Sequence, residues 1–245
     1  MRIILSLIVF LCSLLVNAQQ VNCVYNFPVR PGTSEWDSLK TETERFKALQ
    51  IPDNLLSKMS TECLIKTCIN YPAFGHFTAF DDNQKGMRHL VNMFNGLQEL
   101  LNRKGAPLKL VAIYSAMDSS DMKISDKQVD NSLWTIRSCY FEMMLAQDEI
   151  IDKMDESARL ELIIESRRRL NHKIDNKQKN SIFSYQPTLL IMGKILDKSS
   201  NKGFKAKKTA NNNMKRFIET GSLINELTFD ELVEMSDSYI KSNKK

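Results

Sequence analysis

The sequence predicts an all-α protein, either a multi-helix bundle or an irregular α-solenoid of antiparallel helical hairpins. Its 245 residues include only 8 Gly and 6 Pro, too few for the frequent turns of a many-stranded sandwich or barrel. Apolar residues recur at helical spacing along most of the chain, and no long stretch alternates with period two. No clear internal repeat supports one of the regular solenoid classes.

The N-terminus has the pattern of a secretory signal peptide over residues 1–18. Arg2 gives the positive start, an apolar run follows, and Val16-x-Ala18 has the small residues of a cleavage site. The apolar run is about 14 residues long, short of the roughly 20 that span a bilayer. We therefore expect a soluble exported chain, periplasmic or extracellular, with no transmembrane segment after cleavage.

The first elements of the mature chain are predicted from prolines and helix caps. Residues 19–32 contain two prolines and look extended. Thr33 or Ser34 can cap a helix that continues to about Gln50. Pro52 then begins a short helix.

The next helix is capped by Ser60 or Thr61 and runs to Asn70. The proline at position 72 ends it, because a residue before proline avoids helical backbone angles. Residues 71–82 therefore form a predicted loop, rich in aromatic side chains.

The middle of the chain contains an amphipathic pattern over residues 87–101, which predicts one helix. Gly105-Ala106-Pro107 breaks it, and a further helix is expected over 108–117. Residues 118–127 are polar and form the best candidate linker. The helical domain, 33–245, could be subdivided there.

Helical patterns also cover most of the C-terminal half. A polar, basic loop is predicted over 198–213. The last helix is expected to be capped by Thr228, with Glu231 three residues on. Helices are expected over 129–154, 156–174, 188–196 (opened by Pro187), 214–220 and from 228 onwards.

Four cysteines remain after the predicted signal peptide: Cys23, Cys63, Cys68 and Cys139. An exported chain permits disulfides, and four cysteines allow three pairings. A bond between Cys63 and Cys68 is not expected, because five residues apart on one helix is too far for a bridge. The alternative is that the cysteines are small buried apolar residues.

Three stretches carry a family resemblance. They are FPVRPGTSEW at 27–36, IPDNLLSKMSTECLIKTCINYPAFG at 51–75 and FNGLQELLNRKGA at 94–106. Together they resemble a family of exported helical proteins of Bacteroidetes bacteria. The resemblance covers about the first half of the mature chain and implies no activity, cofactor or site residue.

Motifs of catalysis and metal binding are scarce. The sequence lacks H-E-x-x-H, G-x-S-x-G and phosphate-binding glycine loops, and we predict no cofactor and no metal. The weak catalytic candidates are His76, Asp81 and Asp82, which could do acid–base chemistry together. With His89, they could also meet around a metal ion. The simpler interpretation of the two aspartates is a helix N-cap with first-turn charge.

Two segments are candidate binding surfaces. The loop at 71–80 contains Phe74 and Phe77, which either recognise a ligand or belong to the core. Between 194 and 216, eight basic residues face a single acid. Its candidate binding residues are Lys202, Lys205, Lys207 and Lys208, and the alternative is a solvated loop. Export favours an envelope protein or an anionic glycan or lipid as partner, and not nucleic acid.

The leading functional hypothesis is a non-enzymatic exported helical protein that binds an envelope or extracellular partner. The alternative is a small exported hydrolase of glycan or peptidoglycan fragments, with its site at 71–82. Burial of that segment distinguishes the two: an open cleft favours the enzyme, and buried rings favour the binding protein.

Overall fold

The structure, a computed structural model, describes residues 23–117, 131–175, 182–223 and 225–244. The predicted signal peptide (1–18) and the predicted linker (118–127) lie outside these residues. Within them all regular secondary structure is helical, which confirms the all-α prediction as a helical bundle. No helix in the described ranges is long and apolar enough to cross a membrane.

The helices are numbered here in chain order. Before residue 118 they are α1 (Ser34–Ser38), α2 (Glu42–Ala48), α3 (Asp53–Leu56), α4 (Thr61–Ile69), a 3-10 helix η1 (Phe74–Ala79), α5 (Asn83–Met93), α6 (Asn95–Asn102) and α7 (Ala106–Ala116). After residue 130 they are α8 (Asn131–Leu145), α9 (Asp148–Ile151), α10 (Glu156–Asp175), α11 (Ile182–Lys198), α12 (Lys202–Ala210), α13 (Asn212–Thr220) and α14 (Glu226–Asn243).

The helix predicted from Thr33 to Gln50 is two helices. Thr33 caps α1 as expected, since its side chain accepts from Trp36 N. Thr41 then caps α2 and forms a capping box with Glu44. A capping box satisfies free N–H groups at a helix start, so this second start interrupts the predicted helix.

The single helix predicted over 87–101 is also divided, at Phe94, whose backbone is extended. The side chain of Gln50 accepts from Asn95 N at 3.0 Å and donates to Met93 O at 2.7 Å. The side chain of Asn95 exchanges two hydrogen bonds with the backbone of Ile51. These bonds replace the helical ones lost at the break, and they join α5 and α6 to the segment after α2.

Three boundaries in the C-terminal half differ from the prediction. The helix predicted over 129–154 is divided into α8 and α9 around Ala146-Gln147. Helix α11 begins at Ile182 and contains Pro187, which was expected to open it. Asn225, not Thr228, caps α14, because its side chain accepts from Thr228 N.

The loop predicted over 198–213 is largely helical, so that prediction was wrong. Asn201 caps α12 by accepting from Phe204 N at 2.9 Å, and Phe204 is completely buried. One apolar residue anchors the helix, which is too little to show as a periodic pattern in a polar segment.

Helix α11 lies at the centre of the core. It packs against α8, α9, α10, α12, α13 and α14, and each side chain from Thr188 to Leu196 is buried. Gly193 permits the close approach of α13, since a Cβ there would lie 2.4 Å from Ile218 Cδ1. One cluster of buried apolar residues runs from Phe27 to Tyr239.

A disulfide joins Cys23 to Cys63, with the two Cα atoms 5.3 Å apart. It connects the segment before α1 to the first turn of α4. Cys68 and Cys139 are free and buried. The bond between Cys63 and Cys68 that helical spacing argued against is absent.

Candidate functional site

The aromatic segment, residues 71–80, is part of the core. The ring of Tyr71 stacks on Phe94 with centroids 4.0 Å apart. Phe74 and Phe77 both approach Tyr140 of α8, at 5.8 and 6.1 Å. Phe74 is 6% exposed and Phe77 is fully buried, so these two candidate binding residues present almost no surface to a ligand.

Helix α5 fixes the position of this segment. A Cβ at Gly86 would lie 2.0 Å from the carbonyl oxygen of Phe77, so only glycine allows α5 to pack this closely on η1. The backbone of η1 is therefore held from one side, while its rings are held from the other by α8.

His76 and His89 lie on either side of Glu42 in α2. His76 Nδ1 is 3.6 Å and His89 Nε2 is 4.0 Å from the same Glu42 oxygen. The two histidines therefore share a neighbour, as the sequence suggested, but the carboxylate is not Asp81 or Asp82. Within the described ranges no group of three or more His, Cys, Asp or Glu side chains is placed to hold a metal ion.

The two aspartates belong to the start of α5. Asp82 is its N-cap and accepts from Lys85 N at 2.6 Å. Asp81 lies 3.4 Å from Lys85 Nζ, and hydrogen bonds from its own backbone N–H and from Lys85 hold its pKa below the ordinary value. This is the helix-cap interpretation, and it leaves His76 and Asp82 with different partners.

The basic stretch divides into two kinds of side chain. Four lysines form ion pairs with carboxylates of this chain: Lys194 with Asp148 (3.0 Å), Lys198 with Asp152 (2.8 Å), Lys207 with Glu231 (3.0 Å) and Lys208 with Asp197 (2.6 Å). These ion pairs connect α11 and α12 to the helices around them. Because each lysine charge is balanced by a carboxylate of the same chain, it attracts an anionic partner less.

The other four cations face solvent. Lys202 and Lys205 of α12 and Lys215 and Arg216 of α13 are exposed. In the described part of the chain no carboxylate lies within 4.0 Å of any of them. We call these four residues the basic surface. Two of the predicted binding residues, Lys202 and Lys205, belong to it, whereas Lys207 and Lys208 do not.

A buried ion pair between α8 and α10 was not predicted from the sequence. Lys173 Nζ lies 2.9 and 2.7 Å from the two oxygens of Glu142, which is fully buried. Tyr114 and Thr188 each donate a hydrogen bond to Glu142. Burial, together with the charge of Glu142, raises the pKa of Tyr114 well above its ordinary value.

The signal for this pair was present but ambiguous. Glu142 interrupts an otherwise apolar run in α8, and Lys173 lies among inward-facing residues of α10. A charge at such a position is either paired in the core or turned outward, and only the packed structure decides. The contacts described join four helices, α7, α8, α10 and α11.

No known protein family, curated protein or solved structure matches this chain. The fold and the site therefore define only the structural class of this protein. It is a disulfide-bonded all-α bundle with a core built around aromatic rings and an exposed basic surface on two consecutive helices.

Proposed function

We propose that this chain is a non-enzymatic exported protein that binds an anionic envelope or extracellular partner through the basic surface. The observation that carries the proposal is the contrast among neighbouring lysines. Lys207 and Lys208 are neutralised within the chain, while Lys202 and Lys205 on the same helix are exposed with no carboxylate within 4.0 Å in the described residues. Exposed clustered cations attract anionic partners.

Two features support export. Residues 1–18 have the pattern of a signal peptide, and the Cys23–Cys63 disulfide suits an oxidising compartment. Membership of the exported Bacteroidetes family that the sequence resembles is part of the same proposal.

The burial of the aromatic segment supports binding over hydrolysis. Phe74 and Phe77 lie in the core, and His76 and Asp82 have separate structural partners. The geometry therefore gives the hydrolase alternative no support.

The test is charge reversal of the basic surface. We would replace Lys202, Lys205, Lys215 and Arg216 by Glu and measure binding of the chain from residue 19 onward to a native envelope extract. Binding should fall by at least about tenfold, and wild-type binding should weaken with salt because exposed charges are screened.

The matched control reverses four exposed lysines elsewhere, Lys47, Lys58, Lys104 and Lys109, and changes the net charge equally. It should retain binding. If both variants lose binding equally, net charge alone is responsible, and if neither does, the basic surface is not the binding site. Helicity of both variants is checked by circular dichroism.

A further inference from the structure

A groove of about 700 Å³ lies beside the start of the described chain, away from the basic surface. Its volume is that of ordinary small-molecule sites. One wall is formed by the segment before α1 and the other by the end of α4. The lining residues are Val24, Tyr25, Asn26, Phe27, Arg30, Pro31, Asn70 and Pro72.

The N-terminal wall of the groove is fixed in three ways. The disulfide ties Cys23 to α4, and the Tyr25 N–H donates to Thr67 Oγ1 at 3.0 Å. Phe27 is buried, with its ring 5.8 Å from that of Tyr71. A wall held at three points is formed before a ligand arrives, which lowers the entropic cost of binding.

The polar groups of the groove differ in what they already contact. Asn70 donates to Lys66 O and accepts from Arg137, so its amide is engaged. Arg137 also donates to Ile69 O at 2.7 Å. By contrast, the Arg30 side chain is exposed, and within the described ranges no carboxylate lies within 4.0 Å of it.

The backbone of Arg30 is nonetheless fixed. Its carbonyl oxygen accepts from Thr33 N at 3.1 Å and from Thr33 Oγ1 at 3.0 Å. The side chain of Arg30 therefore extends from a fixed backbone position at the edge of the groove. Asn26, whose side chain is also exposed, lies on the same wall.

The lining indicates the class of ligand. It contains no acidic residue, one available guanidinium and an apolar surface from Val24, Tyr25 and two prolines. A guanidinium pairs with a planar carboxylate through two parallel hydrogen bonds. One available cation matches the single charge of a carboxylate better than the nearly double charge of a phosphate group.

We propose that this groove binds a carboxylate carried on an apolar body, with Arg30 holding the carboxylate and the Cys23–Cys63 bridge holding the wall. The same chemistry is offered by a free organic acid or by the C-terminal residue of a peptide. The site does not depend on the basic surface, so the failure of either proposal leaves the other standing.

The binding test uses four probes: phenylacetate, its neutral analogue phenylacetamide, N-acetyl-phenylalanine and inorganic phosphate. Calorimetry should show saturable binding of phenylacetate and about tenfold weaker binding of phenylacetamide. Tighter binding of N-acetyl-phenylalanine than of phenylacetate supports a chain end, and weaker binding supports a free acid. The proposal is overturned by equal binding of acid and amide, by no saturable binding of either acid, or by phosphate binding as tightly.

Variants locate the site. Arg30→Gln and Asn26→Asp should each weaken phenylacetate binding by about tenfold, the first by removing the cation and the second by adding a repelling charge. Lys104→Gln removes an exposed cation elsewhere and should bind normally. Unchanged binding by Arg30→Gln would overturn the proposal.

The bridge is tested with Cys23→Ser/Cys63→Ser. Binding should weaken although circular dichroism keeps the helical signal, because the wall loses one of its three attachments. Binding equal to that of the wild type would overturn the role given to the bridge.

Discussion

The aromatic segment and the basic stretch attract attention in the sequence for the same reason, an unusual local composition, but the structure uses them in opposite ways. The rings at 71–80 complete the core, with Phe77 fully buried. The cations at 194–216 lie at the surface, and half of them are exposed without an ion pair in the described residues. Their composition showed that both segments are unusual, but it did not show which of them is exposed to a partner.

Within the basic stretch, the single helix α12 also contains both kinds of residue, those that contact the rest of the chain and those that face solvent. Lys205 faces solvent, whereas Lys207 and Lys208 reach Glu231 and Asp197. These residues are identical in type and close in sequence, so position on the helix surface decides their role. The proposed binding surface on α12 is therefore defined by helical register and not by the number of lysines.

The largest effect is expected from the aromatic segment. Phe77→Ala should lower the free energy of unfolding by about 3–5 kcal/mol, because it leaves a cavity between η1 and α8. Lys205→Ala, on the exposed side of the comparison, should change it by no more than about 0.5 kcal/mol. Urea unfolding measures both, and similar costs for the two variants would contradict the assignment of one segment to the core.

The fold class could be predicted because it depends on average properties. The scarcity of turn residues and the helical periodicity over long stretches both indicate helices, even where a single helix boundary is predicted wrongly. Element ends depend instead on single contacts. The division at Phe94 requires Gln50 and Asn95 to meet, and α12 depends on one buried ring, that of Phe204.

The candidate site could be predicted only in part, because some of its contacts are local in sequence and others depend on the tertiary fold. Asp82 was interpreted correctly as a cap because capping is local in sequence. The carboxylate between His76 and His89 is Glu42, which the tertiary fold brings from α2. Lys207 and Glu231 are also far apart in sequence, so the sequence alone overcounted the cations that are free of an ion pair.

A second experiment sharpens the comparison within α12. Lys207→Met/Lys208→Met removes two partly buried ion pairs and should cost about 0.5–1.5 kcal/mol of stability, within the usual range for such pairs. Lys202→Met/Lys205→Met should cost almost nothing in urea unfolding but should weaken binding to the envelope extract. If the first pair of changes weakened binding more and left stability unchanged, the division into paired and exposed lysines would be wrong.

The smallest effect concerns Lys198, which belongs to the basic stretch but pairs with Asp152 at 2.8 Å. The hydrogen bond to Asp152 raises the pKa of Lys198 above its ordinary value of 10.5. The folded chain therefore holds this proton more tightly than the unfolded chain. The resulting stability is complete below 10.5 and is lost as the pH rises through the raised pKa.

Lys198→Met should therefore destabilise the chain by a few tenths of a kcal/mol at about pH 8, since solvent screens this partly exposed pair. The difference between the two chains in urea unfolding should shrink at about pH 11.5. Lys202→Met, which removes a cation from the basic surface, should give no difference at either pH. A wild-type advantage that grew with pH would have the wrong sign for an ion pair, and no difference between the two chains at about pH 8 would place Lys198 with the exposed cations.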